Sequence, residues 1–143
     1  MIDPEAVNQP AVDIGRRHVR TGYAALALFV LLGVALEALH AFKVGGYLDV
    51  EHETRRLMLR LAHAHGTLLS VVNVVFGLTA KAYPHACTPL SSVAMLVSLA
   101  LVPLGFGLGA ISAQGADPGA LVLLVPPGAL ALLAALAITA KRL

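Results

Sequence analysis

Residues 90–111 read LSSVAMLVSLALVPLGFGLGAI, a run without a single charged side chain. As a helix it would be about 33 Å long at about 1.5 Å of rise per residue, enough to cross a hydrocarbon core of about 30 Å. Three further runs have the same character: Gly22–Phe42, Leu57–Ala80 and Ala120–Ala140. Lipid offers no hydrogen-bond partner for backbone N–H and C=O groups, so spans of this length must be helices. A transmembrane barrel would show strands of about ten residues with alternating polarity. The reading is an all-α fold, an integral membrane four-helix bundle.

Composition agrees. Of 143 residues, 58% are hydrophobic and 13% charged, with a mean hydropathy of +0.82. Water-soluble domains carry roughly 45–50% apolar and about 25% charged residues. A net charge of +2 is too small to argue for a nucleic-acid partner, and the lone Cys87 cannot close an intramolecular disulfide. The first run reads as a span rather than a cleavable leader, because it follows an acidic start and carries Glu37 and His40. Residues 1–19, with Pro4, Pro10 and Gly15, read as a cytoplasmic tail, and residues 20–143 as one four-span domain.

Arg16, Arg17, Arg20, Lys81, Lys141 and Arg142 fall on one side of the spans, against Lys43, Arg55, Arg56 and Arg60 on the other. The positive-inside rule then puts both termini in the cytoplasm of an inner or plasma membrane protein. The 43–56 connection is long enough to fold over a bundle mouth, and the prolines at 84 and 89 mark a turn. Gly105, Gly107 and Gly109 with the Ala-rich fourth span favour close helix packing, and Pro126-Pro127 suggests a kink in the last helix.

The second span holds the clearest chemistry: Arg60-Leu61-Ala62-His63-Ala64-His65-Gly66-Thr67-Leu68-Leu69-Ser70-Val71-Val72-Asn73. At about 100° per residue, Arg56, Arg60, Gly66, Thr67, Ser70, Asn73 and Gly77 lie within about 80° of His63, whereas His65 is about 160° away with Leu61, Leu69, Val72 and Phe76. Ionisable residues inside a membrane are costly and usually functional, so His63 is a candidate metal or haem ligand. Its stripe of small and polar residues suggests room for a flat macrocycle; the plainer alternative is a hydrogen bond to a carbonyl across the bundle. In the first span Glu37 and His40 share a face at i,i+3. That pair recurs in di-iron bundles, but a second copy is missing, which leaves Glu37 to orient a histidine, line a pocket, or pair with Arg60. His52 and Glu51 read as solvated, His18 as interfacial, and His85 with Cys87 as a weak metal pair.

The stretch Arg60–Gly66, the Phe42-Lys43-Val44-Gly45-Gly46-Tyr47 loop and the Gly115-Ala116-Asp117-Pro118-Gly119 turn before a Pro-containing last span together resemble the styrene oxide isomerase and hydroxylaminobenzene mutase group. The likeness extends over residues 20–140 and sets His63 on the family histidine and Gly66 on its glycine. Two positions differ from the isomerase pattern: Leu69 stands where an Asn is expected, with Asn73 about one turn further on, and Gly107 stands for a Tyr.

The resemblance implies a homotrimer that binds haem b near subunit boundaries, with His63 as axial ligand and ferric haem acting as a Lewis acid on an epoxide. On that reading His63, Gly66, Thr67, Ser70 and His40 are cofactor-binding candidates, Asn73 and Glu37 catalytic ones, and the substrate is a small hydrophobic molecule arriving through lipid. The competing readings are an electron-transfer haem protein with two axial histidines, His63 with His40 or a neighbour's His65, and a structural bundle without cofactor.

Overall fold

The structure, a computed structural model, describes the backbone from Pro4 and the side chains from Val12 to Leu143. Five helices follow in chain order: α1 (Pro4–Ala41), a single turn α2 (Gly45–Leu48), α3 (Glu53–Ala82), α4 (Pro89–Ile111) and α5 (Val125–Ala140). Short 3-10 turns, Val50–His52 and Ala120–Leu124, lead into α3 and α5. Four segments are long and apolar enough to cross a bilayer: Val12–Ala41, Val50–Ala82, Pro89–Ile111 and Ala120–Ala140. The chain is an all-α integral membrane protein.

The long helices pack in sequence order. α3 takes α1 on one side and α4 on the other, α5 lies against α4, and α1 touches α4 only briefly and α5 not at all among the described residues. Lipid tails are as apolar as leucine, so van der Waals fit and interhelical hydrogen bonds must hold these contacts. Ile14, Phe76, Ala80, Cys87, Met95 and Ala135 form one buried cluster drawn from all four long helices and the 83–88 turn. Leu69, Leu99 and Val102 form a second, between α3 and α4.

Local chemistry sets the element ends. Thr88 caps α4: its Oγ1 accepts from the Ser91 N–H at 3.1 Å while its own N–H donates to Ser91 Oγ at 2.9 Å, and Pro89 fills the first turn where an N–H would be idle. Pro126-Pro127 does not kink α5. The pair sits in the first turn of α5, directly after the Ala120–Leu124 3-10 turn, so no intrahelical hydrogen bond is lost. Gly115 turns the α4–α5 connection at φ +56°, and Gln114 and Asp117 exchange backbone hydrogen bonds across it. At the other end Arg142 Nε donates to His85 O at 2.9 Å, which ties the C terminus to the 83–88 turn. The C terminus, that turn and the start of the described part of α1 thus occupy one end of the bundle, and the 43–52 and 112–119 connections the other.

The tail read over residues 1–19 belongs to the bundle from residue 12 on. α1 continues unbroken from Pro4 through Pro10 and Gly15, with Ile14 and His18 buried. The reason is a close crossing. A Cβ at Gly77 would stand 2.8 Å from Gly15 O, and one at Gly15 would stand 2.9 Å from Gly77 O, so the two backbones approach as only paired glycines allow. Gly77→Ala gains at most about 1 kcal/mol of helix propensity but drives a methyl into a carbonyl that cannot yield, an overpacking cost of about 1–3 kcal/mol. The expected outcome is a lower thermal midpoint in detergent for Gly77→Ala. Gly46→Ala, where a Cβ would meet nothing within 4 Å, should leave the midpoint unchanged.

Candidate functional site between α1 and α3

Past the His63 level, toward the end of the bundle away from the termini, α1 and α3 enclose a pocket of about 790 Å³. Its apolar wall is Val30, Val34, Leu57, Leu61 and Ala64, and its polar wall is Glu37, His40, Tyr47, Arg56, Arg60 and His63. Val30 (49% exposed), Val34 (60%) and Leu57 (51%) are left uncovered by protein, so the pocket opens sideways toward lipid. Tyr47, on the single turn α2, is buried, and Arg56 Nη1 donates to Tyr47 O at 2.9 Å and Leu48 O at 3.0 Å, which fastens the 43–52 connection onto α3. The fold over the mouth expected from the loop's length is thereby given a cause.

His63 is half-buried in this pocket, and its ring is held on two sides. Nδ1 lies 2.8 Å from Phe29 O; a carbonyl can only accept, so Nδ1 carries the proton. The imidazole edge rests on Gly33, where a Cβ would overlap Cε1. Nε2 makes no hydrogen bond among the described residues; like Nδ1 it is bonded to Cε1, and a Cβ at Gly33 would stand 3.0 Å from it, so this edge of the ring lies against α1. His65 faces the opposite way, as the helical periodicity requires. Its Nδ1 donates to Leu61 O at 3.0 Å, and its ring centroid is 4.9 Å from that of Phe106 on α4.

The rest of the predicted stripe is closed. A Cβ at Gly66 would overlap the Phe29 ring, so α1 already fills the space beside it. Ser70 is buried with Oγ donating to Gly66 O at 2.6 Å. Thr67 is half-buried, with its hydroxyl shielded and unpartnered among the described residues. Gly66, Thr67 and Ser70 therefore leave no room for a macrocycle; their small side chains make way for a neighbouring helix. Asn73 is not near the pocket either. It lies ten residues, about 15 Å, along α3 from His63 and is fully buried in a different network.

That network centres on His18, the residue read as interfacial. Asn73 Nδ2 donates to Leu69 O at 3.1 Å, which leaves Oδ1 to accept from His18 Nδ1 at 2.7 Å. Ser92 Oγ accepts from Arg17 Nη2 and donates to His18 Nε2 at 2.7 Å. Each polar group is satisfied by a neutral ring, and the chain of bonds joins α1, α3 and α4. Sequence reasoning missed it because His18 lies outside the uninterrupted apolar run. The signal was its spacing to Ile14 and Gly22, one helical turn on either side.

Glu37 and His40 are both on the pocket wall and both uncovered, and no ion pair joins Glu37 to Arg60. His85 is exposed while Cys87 is buried, so they do not form a metal pair; burial pushes the Cys87 thiol up from its ordinary pKa. No group of three or more His, Cys, Asp or Glu side chains suited to a metal ion occurs among the described residues. A smaller cavity of about 370 Å³, lined by Glu51, His52, Arg55, Ala113 and Gly115, lies between the two connections at the pocket end. Neither a protein-family model, nor a curated protein, nor a solved structure matches the chain.

His18→Ala would strand Asn73 Oδ1 and the Ser92 hydroxyl away from water, in addition to leaving a cavity. The expected loss is about 2–4 kcal/mol, read as a large fall in thermal midpoint in detergent, whereas the exposed His85→Ala should be neutral.

Proposed function

We propose that the protein is an integral membrane haem b protein in which His63 is the axial ligand, and that it rearranges a small hydrophobic substrate taken from the bilayer. One observation carries this reading. His63 lines a pocket of about 790 Å³, its Nδ1–H donates to Phe29 O, and its Nε2 makes no hydrogen bond among the described residues. A metal-binding histidine characteristically donates its other ring N–H to a carbonyl or carboxylate, which sets the tautomer and the ring plane. The pocket volume falls within the range of about 300–1,000 Å³ of small-molecule sites.

Bound there, ferric haem would supply a Lewis-acid centre, the chemistry of an epoxide-isomerase-like rearrangement. The chain's own residues supply the remainder. Val30, Val34, Leu57, Leu61 and Ala64 admit an apolar molecule from lipid and exclude water, and Glu37, the single carboxylate on the wall, can hold or return a proton. Gly66, Thr67, Ser70 and Asn73 have no part in this site. His40 on the same wall favours a second reading, an electron-transfer protein with two axial histidines. We further place the protein in an inner or plasma membrane with both termini cytoplasmic, supported by the cation bias between the two ends. Self-association as a trimer is supported by the family resemblance and by the uncovered flanks of α1 and α5.

Hemin-reconstituted protein in detergent tests this. A five-coordinate high-spin Soret spectrum is expected, and a six-coordinate low-spin one would favour the bis-histidine alternative. His63→Ala should lose most of the bound haem, and His65→Ala should keep it. A full, unchanged Soret band in His63→Ala would overturn the assignment.

A further inference from the structure

The α1–α3 pocket has a graded wall. Arg60 stands at its outer level, His63 one turn deeper on the same face of α3, and Val30, Val34, Leu57, Leu61 and Ala64 line the apolar part. Arg60 and Arg56 face one carboxylate, Glu37, so the fixed charge is positive by one. The two guanidiniums are not equivalent. Arg56 is committed to the Tyr47 and Leu48 carbonyls. Arg60 is exposed at the pocket rim, makes no hydrogen bond or ion pair among the described residues, and keeps five N–H donors in a planar fork. An unpartnered guanidinium beside Leu57 and Leu61, with an apolar pocket behind it, is complementary to one kind of molecule: an apolar body that enters the pocket and a carboxylate that stays at its rim.

We propose that the occupant of this pocket is an amphipathic carboxylate and that Arg60 is its anchor. The inference rests on the pocket being the working site, as proposed above, and narrows what that site takes. The carboxylate can belong to the propionates of a tetrapyrrole or to a fatty acid drawn from the bilayer; the chemistry at Arg60 is the same.

The test compares each acid with its own ester, which removes the charge and leaves the apolar body. Binding of hemin, hemin dimethyl ester, oleate and methyl oleate is measured on the full-length protein in an uncharged detergent. Absorbance reads the tetrapyrroles, and partition of radiolabelled lipid reads the other two. Wild type should prefer an acid over its ester by about tenfold, the worth of a charge-assisted hydrogen bond. Arg60→Gln should abolish the preference while keeping the affinity for the ester, and His85→Ala, exposed at the opposite end of the bundle, should leave the preference in place. If wild type binds neither tetrapyrrole but prefers oleate over methyl oleate through Arg60, the anchor stands and the haem reading falls. Equal affinity for acid and ester in wild type, a result that needs no variant, would overturn the proposal. So would a preference that survives in Arg60→Gln, or binding of none of the four probes.

Discussion

The seam between α1 and α3 is the constraint on which the rest of the molecule depends. In hydrocarbon, two helices stay together only where their surfaces fit or where polar groups find each other, and this seam uses both means in turn. At the end that carries the termini, Gly15 and Gly77 let the backbones touch and His18 joins Asn73 and Ser92. In the middle, the Phe29 ring lies over Gly66. Beyond it the contact passes to the His63 ring on Gly33 and Phe29 O, and from there the side chains diverge into the pocket. One face of α3 is therefore sealed over two thirds of its length and open over the rest. The position of the site follows from where the sealing stops.

Much of this was legible in the sequence. Apolar runs, each long enough to span a bilayer, require helices because the backbone has no other way to satisfy itself in lipid, and each of the four spans covers one of the runs, the first starting ten residues before it. The 100° periodicity separated His63 from His65, and the structure places them on opposite sides of α3, one on α1 and the other on Phe106 of α4. The hydrogen bond from His63 to a carbonyl across the bundle, the plainer alternative to ligation, is present. Glu37 and His40, placed together by i,i+3 spacing, do share a wall.

What was not legible has a common cause. Gly66, Ser70 and Asn73 form a small, polar stripe, and a stripe of that kind can either welcome a ligand or admit another helix; the residues alone do not say which. Here α1 supplies Phe29 and His18, and the space is taken. The same uncertainty hid the start of the domain. Arg16, Arg17, His18 and Arg20 interrupt the apolar run, yet on a helix the charges turn outward while Ile14 and His18 turn in, so the span begins before the run does. Pro126-Pro127 read as a kink for a related reason: a proline pair has opposite consequences inside a helix and in its first turn, and the difference is a few residues of boundary.

The central proposal is that His63 is a metal ligand, with Nδ1–H held by Phe29 O and Nε2 open to bind. Nitrogen-15 NMR of the His63 imidazole in lipid bilayers, without added cofactor, measures that state of the ring directly. The account predicts the Nδ1–H tautomer, a coupling from Nδ1 across the hydrogen bond to the labelled Phe29 carbonyl, and an Nε2 shift typical of an unprotonated, weakly engaged nitrogen. A proton found on Nε2, or an Nδ1 with no coupling to Phe29, would contradict it.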